Sequence, residues 1–591
     1  MPRDSPQSPQ LSTNALTVLR RRYLIKNAVG DPIETPARMF RRVADNVAQA
    51  EQRSRKANPR PTRSPSRIAA KGTAEAFYGL MSRLEFLPNS PTLMNAGREL
   101  QQLSACFVLP VGDSLDKIFG AVTHQALIHQ SGGGTGFAFG HLRPKNDRVA
   151  STSGIASGPV SFMRIFNMAT EVIRQGGTRR GANMGILRVD HPDILEFITV
   201  KQDQKELTNF NLSVGITDAF MRALQRGSRF SLINPRTGRV MARVAAQELF
   251  DRLVETAWTT GDPGVIFLDT INRDNPTPAL GTIEATNPCS EQPLLPYESC
   301  ILGSINLGKY VVGPDRAPRI EYERLAQTIP LAVRFLDDVI DVNRYPLPEI
   351  EAVTKGNRKV GLGVMGFADM LIKLGIPYDS EEALTAGDRV MGFVKEQAYA
   401  ASQALAKERG PFPNHKASHH AAAGRRLRNA TVTTVAPTGT LSIIADCSPG
   451  IEPLYAVRQV RTVMDGTRLM TTHPDFIAKA RAAGILSQEL LDRVGASESI
   501  QRLREIPAEL RRLFVTAHDV APEQHVRMQA VFQRHSDSGV SKTINLPADA
   551  SKQEVASAFL LAYRLGCKGI TVFRNKSRDD QVFTCAQTEY C

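Results

Sequence analysis

The 591 residues contain no CxxC pair, no apolar run approaching the ~18 residues that span a bilayer, and no GxxxxGK[ST] phosphate loop. Each absence removes a class. Without closely spaced cysteine pairs a structural zinc site is poorly supported, and a membrane span is excluded. Seven cysteines, an odd number widely scattered, do not make a disulfide framework, so the thiols are free, buried or redox-active. Met1 to Gln10 is polar and proline-bearing with no apolar h-region, so no secretory signal is expected and the expected location is the cytoplasm. No internal repeat is present.

What is there is an ordinary globular composition, 42% hydrophobic and 22% charged, with an uneven charge. The net charge is +14, yet Met1 to Gly72 alone carries fifteen Lys and Arg against five Asp and Glu. The basic, proline-bearing stretch from Arg53 to Lys71 has the composition of a solvated linker, and nucleic acid is not an expected partner. Leu16 to Glu51 reads as helical, with Leu19, Tyr23 and Leu24 on one face and Met39, Val43 and Val47 on another. The chain therefore divides into a basic helical N-terminal region and linker (1–72), one large α/β unit (73–576) and a polar, mobile C-terminal tail (577–591) bearing Cys585 and Cys591.

Within the large unit, Gly136 to Phe139, Asn211 to Ile216, Val360 to Val364 and Thr431 to Val435 read as strands. One helix is predicted over Tyr322 to Val342, with Pro330 inside it. Another begins near Ser380, with Glu381 and Glu382 in its first turn, and stops at Gly410-Pro411. Such alternation favours an α/β barrel or a layered sheet.

The chemistry concentrates in Asn287-Pro288-Cys289-Ser290-Glu291, followed by Cys300 and preceded far upstream by Cys106. Thr286-Asn287-Pro288 suggests a loop, and a loop tip can turn a thiol and a carboxylate two residues apart toward one small substrate. Two further thiols supply a pair of electrons. That inventory suits a reduction that begins at a sulfur radical and ends in a disulfide. Separately, Pro437-Thr438-Gly439-Thr440-Leu441-Ser442 offers hydroxyls and backbone N–H groups in a turn ahead of a helix, a way to hold phosphate without a lysine loop.

These segments, together with Asn89 to Asn95 (NSPTLMN), Ser104-Ala105-Cys106, Gly132 to Phe137, Arg179 to Gly185 (RRGANMG), Gly303 to Leu307 (GSINL) and Ala436 to Pro453 (APTGTLSIIADCSPGIEP), resemble the catalytic chains of the ribonucleotide reductases, most closely the adenosylcobalamin-dependent class. The resemblance runs from about Leu16 to Arg574. It implies a ten-stranded α/β barrel with a central finger loop, preceded by a small helical region. It implies reduction of ribonucleotides, diphosphates foremost, to 2'-deoxyribonucleotides.

Residue by residue, the resemblance makes Cys289 the thiyl that takes hydrogen from C3' of the ribose, Glu291 the acid-base group and Asn287 a hold on the sugar hydroxyls. Cys106 and Cys300 become the reducing dithiol, and Cys585 and Cys591 the tail shuttle that reopens their disulfide. C-x5-C departs from the closely spaced pair usual in the family. Ser90, Ala105, Gly134 and Pro437 to Leu441 (with Thr438, Gly439 and Thr440) fall at substrate contacts. Ser153 and Gly154, and Gly177, Arg179 and Arg180, fall in two loops that bind a deoxynucleotide effector. A thioredoxin-like or glutaredoxin-like reductant and a homodimer are the implied partners. Cys447 and Cys567 have no role and are expected to be buried.

The radical source divides the family. None of the eleven tyrosines is adjacent to another, as the class with a separate metal-radical subunit requires, and no glycyl-radical segment lies near the C-terminus. Adenosylcobalamin remains as the implied cofactor. No DxHxxG segment is present, no histidine is nominated as a metal ligand, and His124 and His129 read as packing residues. The competing readings are the same reaction with a metal-radical partner and a nucleotide-binding homologue without chemistry.

Overall fold

The computed structural model describes residues 8–52, 66–148, 154–173, 181–314, 316–463, 466–577 and 583–585. Strands β1 (Cys106–Pro110), β2 (Gly134–Ala138), β3 (Asn183–Arg188), β4 (Phe210–Ile216) and β5 (Gly264–Phe267) lie side by side and parallel. A second parallel set comprises β6 (Ser299–Asn306), β7 (Val360–Met365), the segment 431–435, β8 (Thr543–Leu546) and β9 (Gly569–Arg574). Two single bridges, Leu362 to Thr433 and Val435 to Val540, hold segment 431–435 between β7 and the run that enters β8.

The two sets meet antiparallel at both edges. On one side Ser299 and Cys300 of β6 face Phe107 and Cys106 of β1; on the other Gly569 and Ile570 of β9 face Ile266 and Val265 of β5. The ten members thus form a closed α/β barrel, the architecture expected from the sequence. Phe86–Pro88 adds an antiparallel pairing on Ile305 to Gly303. Every residue of β6 and β7 is buried, as strands covered on both faces must be.

The helices that wrap this barrel obey their sequence signals closely. Helix α5 (Tyr322–Val342) carries Pro330 in its interior and buries Leu325, Ile329, Ala332, Val333, Leu336, Val339 and Ile340 along one stripe. Helix α6 (Glu381–Arg409) starts where the Ser380 hydroxyl accepts the Ala383 N–H at 3.1 Å and ends at Gly410 with φ +85°. Among the described residues no helix is long and apolar enough to cross a membrane.

The N-terminal region differs from the single helical pattern expected over Leu16 to Glu51. Helix α1 (Thr13–Val18) runs into one π-turn (Leu19–Tyr23), an irregular stretch follows, and α2 (Pro36–Val47) begins afresh at its Thr35 cap. Gly30 at φ +92° and Pro32 interrupt the helix. The apolar periodicity survives the break because Leu19, Tyr23, Met39, Phe40, Val43 and Val47 all enter one core. This region is fastened to the barrel helices by charge. The Glu51 carboxylate pairs with Arg334 at 2.8 Å and Arg409 at 2.7 Å, and Arg409 also meets Asp337 at 3.1 Å and Asp338 at 2.6 Å.

Candidate active site

Between β5 and β6 the chain turns into the barrel. Ala285–Thr286 pairs antiparallel with Pro293–Leu294, and the tip between them is knitted by its own backbone. Asn287 N–H donates to the Gln292 carbonyl (3.1 Å), Gln292 N–H to Asn287 Oδ1 (2.9 Å) and Ser290 N–H to the Asn287 carbonyl (3.0 Å). Ser290 takes the left-handed conformation at φ +64° to make the turn.

The barrel wall receives this finger with hydrogen bonds and missing side chains. Asn211 Nδ2 donates to the Pro288 carbonyl at 2.8 Å; the Gly539 N–H (2.7 Å) and the Thr434 hydroxyl (3.1 Å) both donate to the Glu291 carbonyl. A Cβ on Gly136 would stand 1.8 Å from the Thr286 carbonyl oxygen, and one on Gly539 2.7 Å from the Ser290 carbonyl oxygen. One on Gly134 would lie 3.1 Å from the Pro288 ring, so this predicted substrate contact also makes room for the finger.

The sequence-predicted thiols fall into two environments. Cys106 and Cys300 are buried and directly opposed where β1 meets β6. Asn287 Nδ2 donates to Cys106 Sγ at 3.0 Å, so the amide expected on the sugar hydroxyls rests here on a thiol. The hydrogen-bonded Cys300 thiol, then burial, then the Glu291 carboxylate push the Cys106 thiol well above its ordinary range, with the Asn287 bond opposing. The Cys106 thiol therefore holds its proton, and Glu291, itself buried, acts electrostatically on it. Cys289 is exposed instead and lines a cavity of about 820 Å³.

That cavity collects residues from distant parts of the chain: Ser12 and Asn14 ahead of and within α1, Ser442 and Cys447, and Gln459 and Arg461. Ser12 Oγ donates to Asp446 Oδ1 at 2.5 Å, so the N-terminal segment forms part of the wall. Asp369, also lining it, accepts the Ser448 N–H at 2.6 Å and pairs with His473 at 3.3 Å. Burial alone would raise this carboxyl; the His473 and Ser448 contacts outweigh it and hold the pKa down at about 2. The Cys447 thiol is pushed far up by burial, then by the charges of Asp369 and Asp446.

In the predicted phosphate turn, Thr438 sits at φ +49°, its hydroxyl accepts the Gly450 N–H at 2.8 Å, and helix α7 (Gly439–Ile444) starts immediately after. Gly439 is exposed, with no atom within 4 Å of where a Cβ would stand, Thr440 is half-buried and Leu441 is buried. The Ser90 hydroxyl is engaged with Tyr23 at 2.7 Å, and the Ala105 N–H donates to the Cys300 carbonyl at 3.3 Å. Gly154 lies among the described residues; Ser153, Gly177, Arg179, Arg180 and Cys591 fall outside them. The backbone of Phe583–Cys585 pairs antiparallel with Arg461 to Gln459, so Cys585 lies opposite a residue of the cavity wall.

Sequence reasoning missed the wall residues Asn211, Thr434 and Gly539, which approach the finger only once the barrel closes. It also missed the buried pair of Lys359 with Glu298 at 2.6 Å, two residues before Cys300. A charged lysine in a run such as Arg358-Lys359-Val360 carries no sign of its burial.

Comparison with known proteins finds the ribonucleotide reductase barrel domain over residues 104–573 and the ribonucleotide reductase all-alpha domain over residues 9–101. A protein of Thermoplasma acidophilum named vitamin B12-dependent ribonucleoside-diphosphate reductase is 50% identical, covering 98% of this chain and 81% of its own length. One of the same name from Mycobacterium tuberculosis is 49% identical with the same two coverages, 98% and 81%. The class Id ribonucleotide reductase alpha subunit of Actinobacillus ureae superposes with a TM-score of 0.76 over 96% of this chain and 97% of its own, at 23% identity, a likeness of fold.

Proposed function

The chain belongs to the ribonucleotide reductase family, and from that premise we propose that it reduces ribonucleoside diphosphates to 2'-deoxyribonucleotides by a thiyl-radical mechanism dependent on adenosylcobalamin. The relatives at about half identity carry that cofactor and that substrate class in their names. The observation that carries the reading is the finger tip itself: Asn287 bonds Cys106, Glu291 acts on that thiol, Cys106 opposes Cys300, and Cys289, between Asn287 and Glu291 in the chain, opens to the cavity.

The cavity suits the cofactor. Its volume lies near the upper end for small-molecule sites. Two of its lining residues, Gln459 and Gln529, carry buried side-chain oxygens without a hydrogen-bond partner among the described residues, and acceptors of this kind match the carboxamides that rim a corrin ring. Gln459, Gln529 and Tyr455 would hold it. When bound, adenosylcobalamin supplies the radical equivalent through homolysis of its cobalt–carbon bond.

The chain's own groups then divide the work. Cys289, the one of these thiols open to the cavity, takes hydrogen from C3' and later returns it. Glu291 accepts the 3'-hydroxyl proton, and removing that proton lowers the cost of losing the 2'-hydroxyl as water. Asn287 moves from Cys106 to the sugar hydroxyls when substrate arrives, which frees that thiol. Cys106 and Cys300 deliver two electrons and two protons and close into a disulfide. Pro437 to Leu441, with exposed Gly439, hold the substrate phosphates.

A dithiol protein of the thioredoxin or glutaredoxin kind renews the tail pair Cys585 and Cys591, and a deoxynucleotide binds beside the loops containing Gly154 and Arg179. Two such chains associate through α3 (Leu115–Gln130) and α4 (Pro159–Val172). Their exposed Leu115, Phe119, Met168 and Val172 support that pairing, since apolar side chains grouped on one face mark an interface. Cys106, Cys289, Cys300, Cys447 and Cys567 are free thiols, in keeping with a cytoplasmic setting. The test is turnover of CDP or ADP with adenosylcobalamin, dithiothreitol and a deoxynucleotide effector; absence of product defeats the reading.

A further inference from the structure

The seam between β1 and β6 that opposes Cys106 to Cys300 is short. Only two residue pairs join the strands; beside them the Ala105 N–H reaches the Cys300 carbonyl at 3.3 Å and the Val108 N–H the Glu298 carbonyl at 3.2 Å, and a shorter bond, Tyr297 N–H to the Val108 carbonyl at 2.8 Å, lies only at the far end. A chain of buried side chains crosses the same seam. Ser104 and Ser299 hydroxyls meet at 3.2 Å, Ser299 and Thr354 hydroxyls at 2.8 Å, and Thr354 Oγ1 also accepts the Ser299 N–H at 3.2 Å. Asn343 closes the far end, donating from Nδ2 to Ser104 Oγ at 3.0 Å and accepting the Leu103 N–H at 2.7 Å.

These four side chains come from four elements: the lead-in to β1, the start of β6, the residue after α5, and the helix Pro348–Asn357. Ser104, Ser299 and Thr354 are wholly buried. None touches substrate in the mechanism above, yet Ser299 immediately precedes Cys300 and Ser104 lies two residues before Cys106.

We propose that the hydroxyl chain Ser104–Ser299–Thr354, closed by Asn343, is a positioning element that fixes the separation of β1 and β6 at the value a Cys106–Cys300 disulfide requires. Directly opposed antiparallel residues have Cα atoms about 4.5–5.5 Å apart, inside the range of about 4.4–6.8 Å that disulfides accept, and little lateral drift is tolerated. Two backbone pairs alone leave the strands free to splay; the hydroxyl chain removes that freedom and raises the effective concentration of one thiol at the other. Per turnover the two S–H bonds break, an S–S bond forms, and the two electrons and two protons go to the sugar, releasing the 2'-hydroxyl as water. The dithiol reductant then returns the S–S bond to two thiols and is itself oxidised to a disulfide.

The proposal rests on reading Cys106 and Cys300 as the redox pair, and the experiment separates the two. Full-length protein is equilibrated in dithiothreitol buffers of graded poise, and the Cys106–Cys300 disulfide is quantified by alkylation and peptide mass mapping. Wild type should titrate as a two-electron couple and form at most two equivalents of deoxynucleotide per chain without added reductant, one from Cys106–Cys300 and one through the tail pair. If wild type forms no such disulfide, the functional reading fails. Thr354→Val, isosteric with the native side chain, should lower the disulfide-to-dithiol ratio about tenfold, a displacement of about 30 mV. Ser104→Ala, acting from the other strand, should do the same, and Thr354→Ser should restore the wild-type ratio. Wild-type titration curves for both Thr354→Val and Ser104→Ala, with only a lowered melting temperature, would reduce the chain to structural packing and overturn the proposal.

Discussion

The dithiol seam and the finger tip hold sulfur under opposite conditions. At the seam, Cys106 and Cys300 are dry free thiols, opposed across two strands, hydrogen-bonded to each other and, through Cys106, to Asn287. At the tip, Cys289 stands exposed in a cavity of about 820 Å³. In the mechanism we propose, burial keeps Cys106 and Cys300 out of reach of stray oxidants until substrate displaces Asn287, and exposure opens Cys289 to the radical donor. One loop serves both because its residues alternate, with Asn287 and Glu291 buried and Cys289 between them outward.

The sharpest break of this contrast is at the sulfurs themselves. Cys289→Ser should reduce turnover to background with nucleotide affinity unchanged, and stopped-flow absorbance should show no substrate-dependent change in bound cobalamin. Cys300→Ser should also end multiple turnover but keep that absorbance change, since only the dry side is altered; loss of the signal in both variants would mean that the two sites are not separable.

Next in size is Gly136→Ala, whose Cβ would collide with the Thr286 carbonyl at 1.8 Å. Displacing the finger by about an ångström should lower kcat/KM at least about a hundredfold. Near-normal kinetics would show that the finger is not seated as described.

The cavity side can be weakened separately. Asp369 holds a pKa of about 2, below the unfolded value of about 3.9, so its stabilisation is present above pH 4 and is lost as pH falls toward 2. Asp369→Asn should therefore cost about 2 kcal/mol in urea denaturation at pH 7 and about half that at pH 3; equal costs at both would contradict the depressed carboxyl. The smallest effect is expected of Phe119→Glu, on an exposed helix face. It should shift sedimentation toward monomer while changing the protomer's own stability by less than about 0.5 kcal/mol.

Much of this was legible before any coordinates. Tyr322–Val342 and Glu381–Arg409 follow their patterns to the residue because caps, first-turn acids and a terminal glycine act locally. Thr431 to Val435 reads as a strand but pairs through single bridges only, since its backbone groups also bond the 535–541 segment while the Thr434 hydroxyl reaches the finger. The break within Leu16 to Glu51 was hidden because two helices sharing a core keep one periodicity. In the site, residue types announced the thiols and the acid. Their placement did not follow from the chain: the partner of Asn287 is 181 positions away, and the clearance at Gly136 depends on a backbone nearly 150 residues later.

The barrel closes at segment 431–435 through two isolated bridges, and in that same gap Thr434 and Gly539 grip the Glu291 carbonyl. Completing the cylinder and seating the finger are thus a single event in assembly. A chain that fails to insert its loop keeps an open slot with unmet backbone groups, a form that proteases or chaperones can distinguish from the finished enzyme before any radical is ever generated.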